Sequence, residues 1–147
     1  MPDFDGYAAN AADPEATGFL GGPTDRRSAW RLFSSGAGSW VVQGAGWWAL
    51  ELLETGEMVG TVGAFFRDGC PDLEVGWTLY PRHWGHGYAI EAAKAALAHG
   101  IEKHRPGRVV ALIAPANTAS IAVSTKLGMK YETDVDFFDE PCGRYLL

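Results

Sequence analysis

Hydrophobic positions along this chain change period several times, and each change marks an element. Residues 3 to 12, DFDGYAANAA, read as a short amphipathic helix carrying Phe4 and Tyr7. Asp13-Pro14 should end it, because the residue before a proline is pushed out of the helical region. Gly21-Gly22-Pro23 is a break. Thr24 or Asp25 then caps a second helix over roughly 25 to 36, with Trp30 and Phe33 on one face. Gly36, Gly38, Gly44 and Gly46 read as a loose connection after it. From Trp47 the period moves toward two. WWALELLE and MVGTVGAFF predict an antiparallel hairpin turning at Thr55-Gly56-Glu57. Arg67-Asp68-Gly69 turns again into a strand over 72 to 80. In that strand Leu73, Val75, Trp77 and Leu79 share one face; Glu74, Gly76, Thr78 and Tyr80 share the other.

Residues 87 to 104 predict a long helix, and Ala89, Ala92, Ala93 and Ala96 give it a flat face able to seat closely on a sheet. Pro106-Gly107 stops it. RVVALIA, residues 108 to 114, is a continuous apolar run of the kind found in a strand covered on both faces. Asn117 opens a further helix to about Leu127, ended by Gly128; MKYETDVDFF and GRYLL then read as a terminal strand pair. The sum is an α+β fold, mainly antiparallel, with one βαβ-like crossover around the long helix and a second crossover helix. A chain of 147 residues is expected to form a single domain spanning 1–147.

Charge narrows the functional classes. The net charge of −6 and pI near 5.1 argue against a nucleic-acid binder, which carries a basic stripe. An acidic surface suits a cationic substrate such as an amine, and equally serves solubility. Cys70 and Cys142 make neither a disulfide framework nor a metal site, and both read as reduced thiols. His83, His86, His99 and His104 lack metal-ligand spacing, so no metal is expected. No apolar run approaches the about 20 residues that span a bilayer, and the N-terminus lacks a basic-then-apolar signal, so a cytoplasmic protein is expected. Six tryptophans are many for this length, and some should line a groove, where the indole N–H finds a partner.

The chemistry gathers around PRHWGHGYAIEA, residues 81 to 92. A strand-like run leads into Gly85 and Gly87, and an alanine-rich helix follows at once. Glycines at such a junction allow a tight turn and a close ligand approach. The first amides of the helix have no partners within it, and its dipole favours an anion there, a phosphate above all. Arg82 and His86 could add charge or donors at the edge. The stretch lacks the third glycine of a dinucleotide fingerprint, since Ile90 stands there, and the Gly-Lys-Ser/Thr of a nucleotide triphosphatase. An ordinary strand-to-helix loop would look similar.

Three more side chains stand out. Glu74 lies mid-strand, where glutamate is uncommon, with Gly76 leaving bare backbone beside it. It is either a general base for a protonated amine or a carboxylate on a solvated outer face. Asn117 and Ser120 sit at a helix start. Asparagine is a favoured N-cap and serine bonds locally, yet the pair could also present donors to a cleft between strands. Ser120 has no His/Asp partner nearby in sequence, which argues against a hydrolase nucleophile.

Residues 71 to 131 resemble the GNAT acyltransferase superfamily, in particular its branch similar to the RimJ/RimL protein N-terminal acetyltransferases. LEVGWTLYPRHWGHGYAIEA is similar to the family's strand four, its Arg/Gln-x-x-Gly-x-Gly/Ala pyrophosphate turn and its long helix. RVVALIAPANTASIAVSTKLGMKYE is similar to the next strand and a helix opened by Asn-x-x-Ser, and DPEATGFLGGPT to the helix-and-loop region that helps form the acceptor site. The resemblance implies acetyl-CoA as cosubstrate and a primary amine, on a protein N-terminus or a small molecule, as acceptor. It implies that the amides of Gly85, His86, Gly87, Tyr88 and Ala89 take the pyrophosphate, that Arg82 supports that loop, and that Leu79 at the strand end bonds the pantetheine arm. Asn117 and Ser120 would contact the cofactor or relay a proton, Glu74 would be the base, and amides near a bulge in strand four would steady the oxyanion.

Two departures accompany the resemblance. The branch's usual first strand is missing from this sequence, which exposes a sheet edge and suggests a homodimer through it. Ser124 and Thr125 stand where relatives place an acidic tyrosine, leaving Ser120 or water to protonate the leaving group. A non-catalytic acyl-CoA-binding module is the alternative reading, and a nucleotide-binding domain a more distant one. Trp30, Trp40, Trp47 and Trp48 would form an aromatic acceptor wall or part of the core.

Overall fold

Capping side chains decide where the first helices begin. The structure, a computed structural model, describes residues 2–137 and 140–147. Helix α1 (Pro2–Ala11) is followed directly by α2 (Pro14–Thr17), for which Asp13 is the N-cap, its carboxylate accepting from the Glu15 N–H at 2.8 Å. Asp13-Pro14 therefore ends one helix and starts the next, because proline is pre-shaped for a helical first turn. Asp25, not Thr24, caps α3 (Arg26–Gln43), accepting from the Ser28 N–H at 2.7 Å.

Helix α3 corrects the sequence reading. It runs through Gly36 and Gly38 and ends only at Gly44, whose φ of 65° and N–H bond to the Trp40 carbonyl close it. Each glycine inside a helix costs about 1 kcal/mol relative to alanine. Packing overrides that cost: Gly36 lies against the Trp47 side chain, and the Trp40 indole donates to the Trp47 carbonyl at 2.9 Å.

Strands β1 (Gly46–Glu51), β2 (Met58–Phe66) and β3 (Leu73–Leu79) form the expected antiparallel run, with β1 shorter than WWALELLE suggests. A 3-10 turn over Pro81–His83 leads into α4 (Tyr88–His104), β4 (Val109–Ile113), α5 (Thr118–Lys126), β5 (Lys130–Phe137) and β6 (Glu140–Leu146). The sheet order is β1-β2-β3-β4-β6-β5, with β3 and β4 parallel and every other pair antiparallel. Of the terminal strand pair, Phe138 lies outside the described residues. Arg105, at φ 46°, terminates α4 one residue before the Pro106-Gly107 stop that the sequence suggests.

Helix α4 seats on the sheet through Ala93, Ala96 and Leu97, all buried with Leu73, Val75, Val109 and Ala111 in the main core. At Gly100 the approach is closer still, since a Cβ there would stand 2.7 Å from Leu73 Cδ2. A parallel β3–α4–β4 crossover requires the helix to run back along the strands. Its C-terminal half lies over Leu73, at the start of β3, so its N-terminus lies near the end of β3. On the opposite face, Phe4, Ala8 and Ala29 pack α1 against α3. No helix among the described residues is long and apolar enough to cross a membrane.

The β2–β3 contact is tight at the Gly60–Leu79 pair, where a Cβ on Gly60 would fall 2.2 Å from the Thr78 carbonyl oxygen and 2.9 Å from Leu79 Cα. Those are backbone atoms that cannot swing aside. Gly60→Ala is therefore expected to cost about 3 kcal/mol by forcing the strands apart. Urea denaturation that finds this variant as stable as the parent would show that the contact is looser than described.

Candidate active site

Strands β3 and β4 pair only at Leu73–Val109 and Glu74–Val110. Beyond them lies a cleft of about 790 Å³, walled by Val75–Thr78 on one side and Ala111–Ala114 on the other. Strand alternation orients its wall. Tyr80 N–H donates to the Val59 carbonyl on β2, so the even residues of β3 direct their backbone groups to β2 and the odd ones toward the cleft. The resemblance implied a bulge in this strand. Instead, β3 pairs with β2 without a register shift along Leu73–Leu79, and the opening comes from its other edge.

The long helix begins at the same end. Gly85 (φ 80°) and Gly87 (φ 86°) both take left-handed conformations that side-chain-bearing residues seldom adopt, and Gly87 is the N-cap. A Cβ at either would meet nothing within 4 Å, so these glycines serve the turn and leave the helix end open. Among the described residues no side chain caps it, and the first amides, including those of Gly87, Tyr88 and Ala89, have no partner within the helix. His86 and Tyr88 stack their rings 5.6 Å apart beside that end.

Arg82 stands at that turn. Its guanidinium donates to Glu57 at 2.5 Å and to the neighbouring His83 ring at 3.0 Å, tying the turn to the β1–β2 connection. This exposed pair contributes little stability. The Leu79 carbonyl accepts the Trp84 indole N–H at 2.8 Å.

Asn117 and Ser120 both line the cleft. Asn117 is also the N-cap of α5, its side-chain oxygen accepting from the Ser120 N–H at 3.0 Å. The cap orients Asn117, and its amide nitrogen and the Ser120 hydroxyl are left as donors beside the cleft. Ser124 is fully buried with its hydroxyl bonded to the Ile121 carbonyl, and Thr125 bonds the same oxygen. Cys142 lines the cleft on β6, and burial pushes its thiol up from the ordinary range.

Glu74 is the buried carboxylate of the site, 7% exposed, which excludes a solvated outer face. The Arg67 guanidinium grips it twice, Nε to Oε2 and Nη2 to Oε1, the latter at 2.6 Å. Each carboxylate oxygen keeps a further lone pair for a water or an amine. Sequence reasoning missed Arg67. It stands two residues beyond Phe65, the cross-strand partner of Glu74, and diagonal neighbours on one face of a hairpin can touch. The guanidinium also faces the Phe65 ring at 5.4 Å and the Phe137 ring at 4.3 Å.

Trp47 covers the bare backbone expected beside Glu74. Trp47, Gly63 and Gly76 stand in register across three strands. A Cβ would come within 2.7 Å of the indole at Gly63 and 2.8 Å at Gly76. The ring thus rests on two glycines and stacks on Phe65, centroids 5.0 Å apart. Of the other candidate wall residues, Trp40 and Trp48 pack edge to face and Trp30 meets Phe4.

Arg67→Ala would leave a buried carboxylate without its partner and is expected to cost about 2 kcal/mol. Adding Glu74→Gln removes the stranded charge and should restore part of the loss. Urea titration of both variants decides it, and a double variant no more stable than Arg67→Ala would count against the pairing.

Comparison with known proteins places this geometry. The profile of the acetyltransferase (GNAT) domain matches residues 2–130. The uncharacterised protein YkkB of Bacillus subtilis is 33% identical over 135 residues, 90% of this chain and 78% of that protein. The crystal structure of an acetyltransferase from Agrobacterium tumefaciens superposes with a TM-score of 0.88 at 32% identity, covering 100% of this chain and 85% of the other. A spermidine N-acetyltransferase from Vibrio cholerae, solved in complex with CoA and spermine, shares the fold at a TM-score of 0.79 and 13% identity, over 99% of this chain and 88% of that one. With its split sheet, open helix end and α+β topology, the chain belongs to the GNAT acetyltransferase family.

Proposed function

We propose that this protein transfers the acetyl group of acetyl-CoA to a primary amine, and that it belongs to the branch similar to the RimJ/RimL acetyltransferases. The observation that carries the transfer reading is the meeting, at one end of the sheet, of the open α4 N-terminus and the β3–β4 cleft. The unpaired amides from Gly85 to Ala89 would hold the pyrophosphate, since an uncapped helix start attracts an anion. The odd-numbered backbone groups of β3 would hold the pantetheine arm along the cleft, with Asn117 and Ser120 opposite.

Glu74 accepts the proton of the acceptor ammonium, directly or through a water on its free lone pairs. The amine nitrogen then attacks the thioester carbonyl carbon, and the C–S bond breaks. The proton lost from the attacking nitrogen passes through Ser120, or water, to the departing thiolate. A non-catalytic acyl-CoA-binding module is the second reading, favoured by the Arg67 grip on Glu74, the buried carboxylate of the cleft. The outer edge of β1 carries no strand among the described residues and would pair with a second copy. Size-exclusion chromatography is expected to show a dimer, and a strict monomer overturns that pairing.

Calorimetry is expected to show saturable acetyl-CoA binding, weakened about tenfold by Gly85→Val because a β-branched side chain resists positive φ. Thiol release with a panel of amines should fall about a hundredfold in Glu74→Gln while acetyl-CoA affinity stays. Binding without thiol release from any amine would favour the non-catalytic module. No binding at all would defeat both readings.

A further inference from the structure

A second hollow, of about 760 Å³, lies beneath α1 and α3 on the sheet face that carries Glu74. It abuts the cleft, for Trp47, Arg67, Thr78 and Phe137 line both. Aromatic and apolar side chains dominate its walls, among them Tyr7, Phe33, Trp47 and Phe65. Among the described residues, its charged lining is limited to Arg67 and Asp68. Asp68 is exposed at the rim, and Arg67 is committed to Glu74.

Two residues that line the hollow carry a buried side-chain polar atom without a partner among the described residues. The Asn10 side-chain oxygen and the Tyr80 hydroxyl are both buried without a hydrogen bond, and both residues line this space. Tyr80 is only 6% exposed, and burial, with Tyr7 nearby, pushes its phenol up to about 12. Both groups are therefore neutral. A buried polar atom without a partner is costly, so such a pair is a place for a ligand's own donor or acceptor.

Resting on the transfer reading above, we infer that this hollow takes the acceptor, and that the acceptor is a small primary amine with an uncharged arylalkyl body ending in a neutral hydrogen-bonding group. The amine faces Glu74 across the shared wall, the body lies against Trp47 and Phe33, and the far group meets Asn10 and Tyr80. A polycation does not fit. Each additional ammonium would lose water with no free carboxylate inside to replace it. Aromatic rings can hold cations, but Phe65 and Phe137 already face the Arg67 guanidinium. That positive charge also repels a second one.

The test separates binding from turnover. With the CoA-loaded protein, calorimetry is expected to show tyramine and 2-phenylethylamine binding at least tenfold more tightly than spermidine or kanamycin. Tyr80→Phe should weaken tyramine about fivefold more than 2-phenylethylamine, as the loss of one hydrogen bond predicts. An equal effect on both amines removes Tyr80 from recognition of the far group. Tighter binding of spermidine or kanamycin, or no binding of either arylalkyl amine, overturns the inference. Thiol release is read in parallel on the same panel. Arylalkyl amines that bind without releasing thiol would leave this inference standing and defeat the transfer reading; release with spermidine alone would do the reverse.

Discussion

Close seating of α4 on the sheet is the contact on which this end of the molecule depends. Ala93 and Gly100 let the helix axis approach until Leu73 fills the space a larger residue would need. Interiors packed at crystal-like density do not tolerate an added side chain there. The seat fixes the direction of the crossover and brings the helix N-terminus to the end of β3. Asn117 opens α5 just past β4, at the same end, because both helices follow parallel strands. Two helix starts thereby stand at one end of the sheet. The ordinary polarity of a βαβ unit gives that end its positive partial charge.

The opposite face is organised by two contacts that answer different problems. A buried carboxylate needs compensation, and the Arg67 grip supplies it with two directed hydrogen bonds. A stretch of glycine backbone needs cover, and the Trp47 ring supplies that across Gly63 and Gly76. Both stand where the cleft adjoins the neighbouring hollow. That boundary carries one negative and one positive group already matched to each other. Space beyond it is therefore governed by shape and neutral hydrogen bonding more than by net charge, although the chain as a whole is acidic.

Much of this was legible in the residues. Alternation in 72 to 80 placed Leu73 and Val75 on the core face and Glu74 and Gly76 on the other, because strand geometry has a strict period of two. Gly85 and Gly87 marked the turn, and Asn117 the start of α5, because caps and positive φ are local demands that residue type reveals. The α3 boundary failed for the converse reason. Gly36 and Gly38 weaken a helix locally, while the contacts that hold it, Trp40 and Gly36 against Trp47, come from an element not yet formed when the window is read.

Arg82 and Leu79 show the same limit within the site, since their nearest polar partners, Glu57 and Trp84, were chosen by how loops fold back. The order of most elements and the open helix end were thus set by the chain's own pattern, whereas the burial of Glu74 was not. Which groups compensate Glu74, what covers Gly76, and which side chains line the hollow were decided only in three dimensions. Those outcomes depend on side-chain directions and on contacts between residues distant in sequence, and periodicity carries no information about either.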